Sequence, residues 1–150
     1  MHVSPVVFCE RTGGWAAAWR RVETRLAARE NRRPLSPRLI ETRSPTECRE
    51  VVASRRASFV VAELAAPFAE QTFDLLFDLA TDAPEASAAV VAEREMLPYE
   101  ELARELGAQA FVVSPFGLEA LRRLALRHLG RPAPESVDVR QRIWEALPWS

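Results

Sequence analysis

Lysine is missing from the 150 residues, and all 20 basic side chains are arginine. Schiff-base catalysis, a Walker-type phosphate loop and any lysine-dependent switch therefore lie outside this chain's chemistry. The same arginine usage also fits a GC-rich genome; the chemical exclusion holds either way. Cysteine is scarce, and Cys9 and Cys48 match no metal-ligand spacing and make no disulfide framework. A reducing cytoplasm is the simplest location for such a chain. No apolar run approaches the roughly 20 residues that cross a bilayer. The segment Met1–Gly14 has no basic stretch and only a three-residue apolar run, Val6–Phe8, so it does not read as a signal peptide. The two histidines, His2 and His128, fall in no motif, and the sequence assigns them no role.

What is present is ordinary globular composition, 48% hydrophobic and 27% charged, in a length that fits one domain with a real core. The net charge of −1 conceals an uneven distribution. Residues 1–58 carry 12 Arg against 6 acids, residues 59–110 carry 2 Arg against 11 acids, and residues 111–150 carry 6 Arg against 4 acids. With a sequence pI near 6.2, dedicated nucleic-acid binding is disfavoured.

Short apolar, β-branched runs alternate with longer segments of helical period, the pattern of βαβ units around a parallel sheet. Val3–Cys9 reads as the first strand. Gly13 and Gly14 lead into a helix whose stripe is Trp15, Trp19, Val22 and Leu26. Those tryptophans read as core. The glycine pair reads as a tight strand-to-helix turn, an anion cradle being the other use of such a turn. Arg29–Pro37 is a loop and Arg38–Thr42 a short edge strand. Ser44-Pro45-Thr46-Glu47 spells a capping box with proline at the first helical position, opening a helix to about Arg55. Ser58–Leu64 is a buried strand. Phe68–Ala80 is a helix with Ala69, Phe73, Leu76, Phe77 and Ala80 inward, and Ser87–Ala92 a fourth strand. Pro98–Leu106 is a helix with Tyr99, Leu102, Ala103 and Leu106 inward, stopped by Gly107. Ala110–Val113 and Gly117–Leu129 complete five strand–helix pairs, which admit a flavodoxin-like or a Rossmann-like doubly wound sheet. No G-x-G-x-x-G follows the first strand, so a dinucleotide site loses its main support.

Two short motifs then carry a resemblance. Glu63-Leu64-Ala65-Ala66-Pro67 follows the third strand, and Ser114-Pro115-Phe116 follows Phe111-Val112-Val113. Over residues 3–130 the chain resembles the receiver domains of bacterial response regulators. These carry a phosphoacceptor Asp, then Leu, a variable residue, Met and Pro, at the first position and Lys-Pro-Phe at the second. The resemblance implies a flavodoxin-like doubly wound five-stranded parallel sheet in the order 2-1-3-4-5, with the first and fifth helices on one side. It also implies a domain over 1–130, which leaves 131–150 as a C-terminal extension of linker plus short helix, and a cis peptide before Pro115.

Residue by residue, the same resemblance implies a dismantled phosphorylation site. The two acidic Mg²⁺ positions read Cys9 and Glu10, the acceptor Asp reads Glu63, the hydroxyl residue reads Ala92, and the Lys reads Ser114 beside Pro115. One carboxylate, Glu10, remains of the two, and the aromatic switch position, Phe111, is still aromatic. Phosphoryl transfer rests on positioning and charge neutralisation, so these replacements together argue against it. Glu63 is long enough to mimic an acyl phosphate, but the partners that read such a charge are replaced, so it reads as an acid at a solvated strand end. Cys9, with no Lys or His near it in sequence, reads as a packed small hydrophobe.

The expectation is a phosphorylation-independent signalling module that binds a protein partner or itself. It calls for no catalysis, cofactor, metal, nucleic acid or membrane. In receivers the fourth helix, fifth strand and fifth helix do this work, which here points to Glu100, Arg104, Arg122 and Arg123. The alternative is a small-ligand or nucleotide site in the crevice at the strands' C-terminal ends. Beyond Gly130, Val139, Ile143 and Leu147 recur every four residues with Trp144 beside them, and Trp149 follows. A helix of about ten residues is marginal alone, so this one is expected to dock and to add Trp144 and Trp149 to the interaction surface.

Overall fold

The computed structural model describes residues 4–30 and 37–130. Val3, most of the first loop, and the whole extension with Trp144 and Trp149 lie outside the described residues. Five strands form one parallel sheet: β1 (Val6–Cys9), β2 (Leu39–Thr42), β3 (Phe59–Leu64), β4 (Ser87–Ala92) and β5 (Ala108–Val112). Their spatial order is β2-β1-β3-β4-β5, the expected 2-1-3-4-5. The helices between them are α1 (Gly14–Glu30), α2 (Pro45–Ser54), α3 (Ala69–Asp82), α4 (Glu100–Glu105) and α5 (Leu118–Leu129).

The three central strands are apolar at nearly every position because a doubly wound sheet buries both faces. Alternation then sorts their side chains into two cores. Val7, Cys9, Val60, Ala62, Leu64, Val90 and Ala92 meet α2, α3 and α4. Val6, Phe8, Phe59, Val61, Ala89 and Val91 meet α1 and α5, where Trp19 packs edge-on to Phe8. The edge strands β2 and β5 are only half-buried. The charge segregation of the sequence thereby becomes spatial. The elements α1 and α5 together carry seven arginines against three glutamates, while α3 carries four acids and no arginine.

The capping box forms with one change. Ser44 Oγ accepts from Glu47 N at 3.2 Å, but the Glu47 carboxylate reaches past the cap to Arg43 N at 3.1 Å. The inward face of α3 overlaps the predicted one, with Leu76 buried and Ala69 and Phe73 partly buried against the core, but is rotated from it. Thr72, Leu75, Leu76 and Leu79 are buried, while Ala80 is exposed and Phe77 is 58% exposed. Thr72 sits on the buried side with Leu75, Leu76 and Leu79, and its hydroxyl donates to Glu63 O at 2.9 Å, tying the helix to β3. The start of α4 also differs. A 3-10 turn over Arg94–Tyr99, with Pro98 inside it, buries Met96, leaving Tyr99 and Leu102 exposed and only Ala103 fully buried on α4.

The cis bond before Pro115 is absent; the Ser114–Pro115 peptide is trans. Pro115 opens a 3-10 turn over Pro115–Gly117 capped by Ser114 Oγ, which accepts from Phe116 N at 3.3 Å. A trans proline, with φ preset to the helical value and no N–H to satisfy, suits that first position.

Candidate functional site

The C-terminal ends of β1 and β3 and the N-terminus of α2 enclose a pocket of about 230 Å³. Cys9, Glu10 and Glu63 are among the residues that line it. Ala92, Phe111, Ser114 and Pro115 sit at the same end of the sheet but outside the pocket. Ala92 pairs with Leu64 and is buried, and Phe111 packs partly buried against the α2–α4 core. Ser114 is committed to its turn.

Glu10 does not face a ligand. It is 3% exposed, and its two carboxylate oxygens accept from Trp15 N at 2.9 Å and Ala16 N at 2.7 Å. The turn that allows this runs through Gly13 at φ +82, a conformation that disfavours any other residue. The carboxylate thus replaces the missing carbonyl partners at the start of α1 and sits at the positive end of the helix dipole. Glu63 is half-buried at the pocket wall, where Arg11 N approaches Oε1 at 3.4 Å.

Sequence reasoning missed the rest of the lining. The Arg11 guanidinium lies 3.2 Å over the Phe68 ring, a cation–π contact that holds it across the pocket mouth. Arg43, Ser44, Gln71 and Thr72 complete the wall. Arg11 was visible only as the neighbour of Glu10; nothing in sequence linked it to Phe68. On the adjoining edge, Arg20 and Arg43 flank Glu41 at 2.9 and 3.1 Å and hold its carboxyl below the usual carboxylate range.

Cys9 also has a neighbour that the sequence did not announce. Its thiol neighbours that of Cys48 in the same core, and the Thr42 hydroxyl, which donates to Phe8 O at 2.8 Å, lies beside both. The Cys48 thiol pulls the Cys9 thiol below its ordinary value, against burial. The same pairing, with burial, pushes Cys48 far up.

The donor set does not fit Mg²⁺, the ion that receivers use. That ion asks for near-octahedral oxygen ligands. Glu10 is buried with each oxygen engaged by an amide of α1, and Cys9 offers a soft sulfur. Among the described residues no group of three or more His, Cys, Asp and Glu is placed to hold a metal.

The expected interaction residues separate. On α4, Arg104 forms an exposed ion pair with Glu100 at 2.9 Å. Leu97, Tyr99 and Leu102 are each over 40% exposed in the same region. Arg123 is exposed on α5, 3.8 Å from Glu119. Arg122 leaves this surface altogether. It is 7% exposed and turns toward α1, with Nε 3.9 Å from Glu23 Oε2.

Neither a protein-family model nor a curated protein matches this sequence. Solved structures do. The chain aligns over 87% of its length with 97% of a response regulator receiver domain from Rhodospirillum rubrum, at 18% identity and a TM-score of 0.61. A response regulator receiver protein from Burkholderia phymatum gives 19% identity, 98% coverage of that chain and 0.58. The Mn²⁺-bound form of response regulator Rcp1 gives 10%, 97% and 0.59. This is the receiver fold. At these identities the likeness speaks for architecture, and the chemistry rests on the residues described above. Among the described residues no helix is long and apolar enough to cross a membrane.

Proposed function

We propose that this chain is a receiver-like signalling module that binds proteins, a partner or a second copy, without being phosphorylated. The observation that carries the reading is the capture of Glu10 by α1. The one carboxylate left at the end of β1 serves as a helix cap, with each oxygen engaged by an amide of α1. Glu63, Ala92 and Ser114 stand where receivers hold the acceptor, the hydroxyl and the cation. The apolar side chains Leu97, Tyr99 and Leu102 around the Glu100–Arg104 pair supply the kind of surface that protein partners cover. On this reading the module works in the cytoplasm.

Two measurements test this. Incubation with Mg²⁺ and a small phosphodonor, followed by intact mass, is expected to add no phosphoryl group. A Mg²⁺-dependent gain that disappears in Glu63→Ala sinks the proposal. The paired change Tyr99→Ser with Leu102→Gln is expected to cost about 1–2 kcal/mol of stability, chiefly the Tyr99–Phe73 ring contact, and to leave the fold intact. It should abolish self-association or the capture of a defined partner from the native host.

The pocket itself favours a second reading, a small ligand at the crevice of the sheet. Arginine, carboxylate, amide and aromatic groups converge there. A ligand that raises the melting temperature of the wild type but not of Gln71→Leu would support it.

A further inference from the structure

Cys9 closes β1 and Cys48 lies in the first turns of α2, thirty-nine residues away in sequence. The fold brings both thiols together in one core, between β1 and α2. Both are free. They are not equivalent. Cys9 lines the pocket, whose volume of about 230 Å³ exceeds the roughly 30 Å³ share of a water molecule several-fold. Cys48 is fully buried behind it. The Thr42 hydroxyl lies beside both sulfurs, and the Arg49 guanidinium, fixed by Asp78 at 2.9 Å, adds positive charge nearby. The neighbouring Cys48 thiol, then Thr42 and Arg49, lower the Cys9 thiol, while Cys9 and burial raise Cys48, so the thiolate, which is the nucleophile, falls on Cys9.

We propose that Cys9 and Cys48 form a peroxide-reactive dithiol, in which Cys9 is attacked from the pocket and Cys48 resolves it into a disulfide joining β1 to α2. In the first step the Cys9 sulfur attacks one oxygen of hydrogen peroxide. An S–O bond forms, the O–O bond breaks, and the departing hydroxide takes a proton to become water. In the second step the Cys48 sulfur attacks the Cys9 sulfenic sulfur. An S–S bond forms, the S–O bond breaks, and the hydroxyl leaves with the Cys48 proton as a second water. Two electrons pass from the sulfur pair to one peroxide. The product pins the start of α2 to the sheet and fixes one wall of the pocket.

The test uses the full reduced chain and hydrogen peroxide near stoichiometry. The intact mass is expected to fall by two hydrogens. Cleavage after arginine without reductant should join the peptides 1–11 and 44–49, which hold Cys9 and Cys48. The reaction should run at least roughly tenfold faster in the folded chain than in urea, because only the fold pairs the thiols and activates Cys9. Cys48→Ser, or Cys48→Ala should the serine unfold the chain, should stop at a Cys9 sulfenic acid trapped by dimedone. Absence of the cross-linked peptide overturns the proposal. So does an equal rate in urea, or a product that is an intermolecular dimer.

Discussion

Glu10 Oε2 accepts the backbone amide of Ala16 at 2.7 Å, and its second oxygen takes Trp15. A carboxylate from the preceding strand thus caps the first turn of α1, and both amides are removed from water with their partner in place. Hydrogen bonds to charged groups contribute about 1.5–3 kcal/mol, and a buried donor left unsatisfied costs about 1–3 kcal/mol. Glu10→Ala is therefore expected to lower the unfolding free energy by about 2–4 kcal/mol in urea titration. Glu10→Gln keeps one acceptor and should cost about half as much. Equal costs for the two variants, or none, would show that α1 starts without this carboxylate.

The reach of that capping bond also shows where sequence reading stops. The strands β1, β3 and β4 were legible because buried parallel strands read as continuous apolar runs, and α2 because its box lies within four residues. Glu10 as a cap was not legible, since the contact depends on a left-handed Gly13 between the two groups. The face of α3 was read only in part: Leu76 was legible, but the buried side also holds a threonine, which ties the helix to Glu63 O. Cys9 looked isolated only because its partner is on the next helix but one along the chain. Arg122 was the avoidable miss. With Leu118, Leu121 and Ala125 it falls on one helical stripe, and that spacing alone places it inward.

Glu41 links folding to pH. Hydrogen bonds from Arg20 and Arg43 lower its carboxyl in the folded state. The folded protein thus holds on to the charged form longer than the unfolded chain does. The resulting stability is fully present above the unfolded-state value and is lost as pH falls through the lower, folded one. Both arginines are about half-exposed, so solvent screening keeps the contribution below about 1 kcal/mol. Wild type and Glu41→Gln should therefore differ slightly at neutral pH, converge in acid, and converge again in molar salt. A gap that widens on acidification would contradict the linkage.

Arg122 and Glu23 make a second commitment, inside the α1–α5 interface. The Trp19 indole donates to Glu23 Oε1 at 2.6 Å, while Glu23 Oε2 and Arg122 Nε face each other at 3.9 Å with no hydrogen-bond partner. Attraction across this gap offsets the burial of two charges, so removing one charge strands the other. Breaking such a pair costs about 3–5 kcal/mol when fully buried. Here both side chains keep slight exposure, and Arg122→Met is expected to cost about 2–3 kcal/mol. Adding Glu23→Gln removes the stranded charge but leaves an oxygen for the Trp19 indole. The double variant should then be more stable than Arg122→Met alone. Strictly additive costs in a double-mutant cycle would mean that the two groups do not interact across the interface, and that α1 and α5 are held by the Trp19 cluster alone.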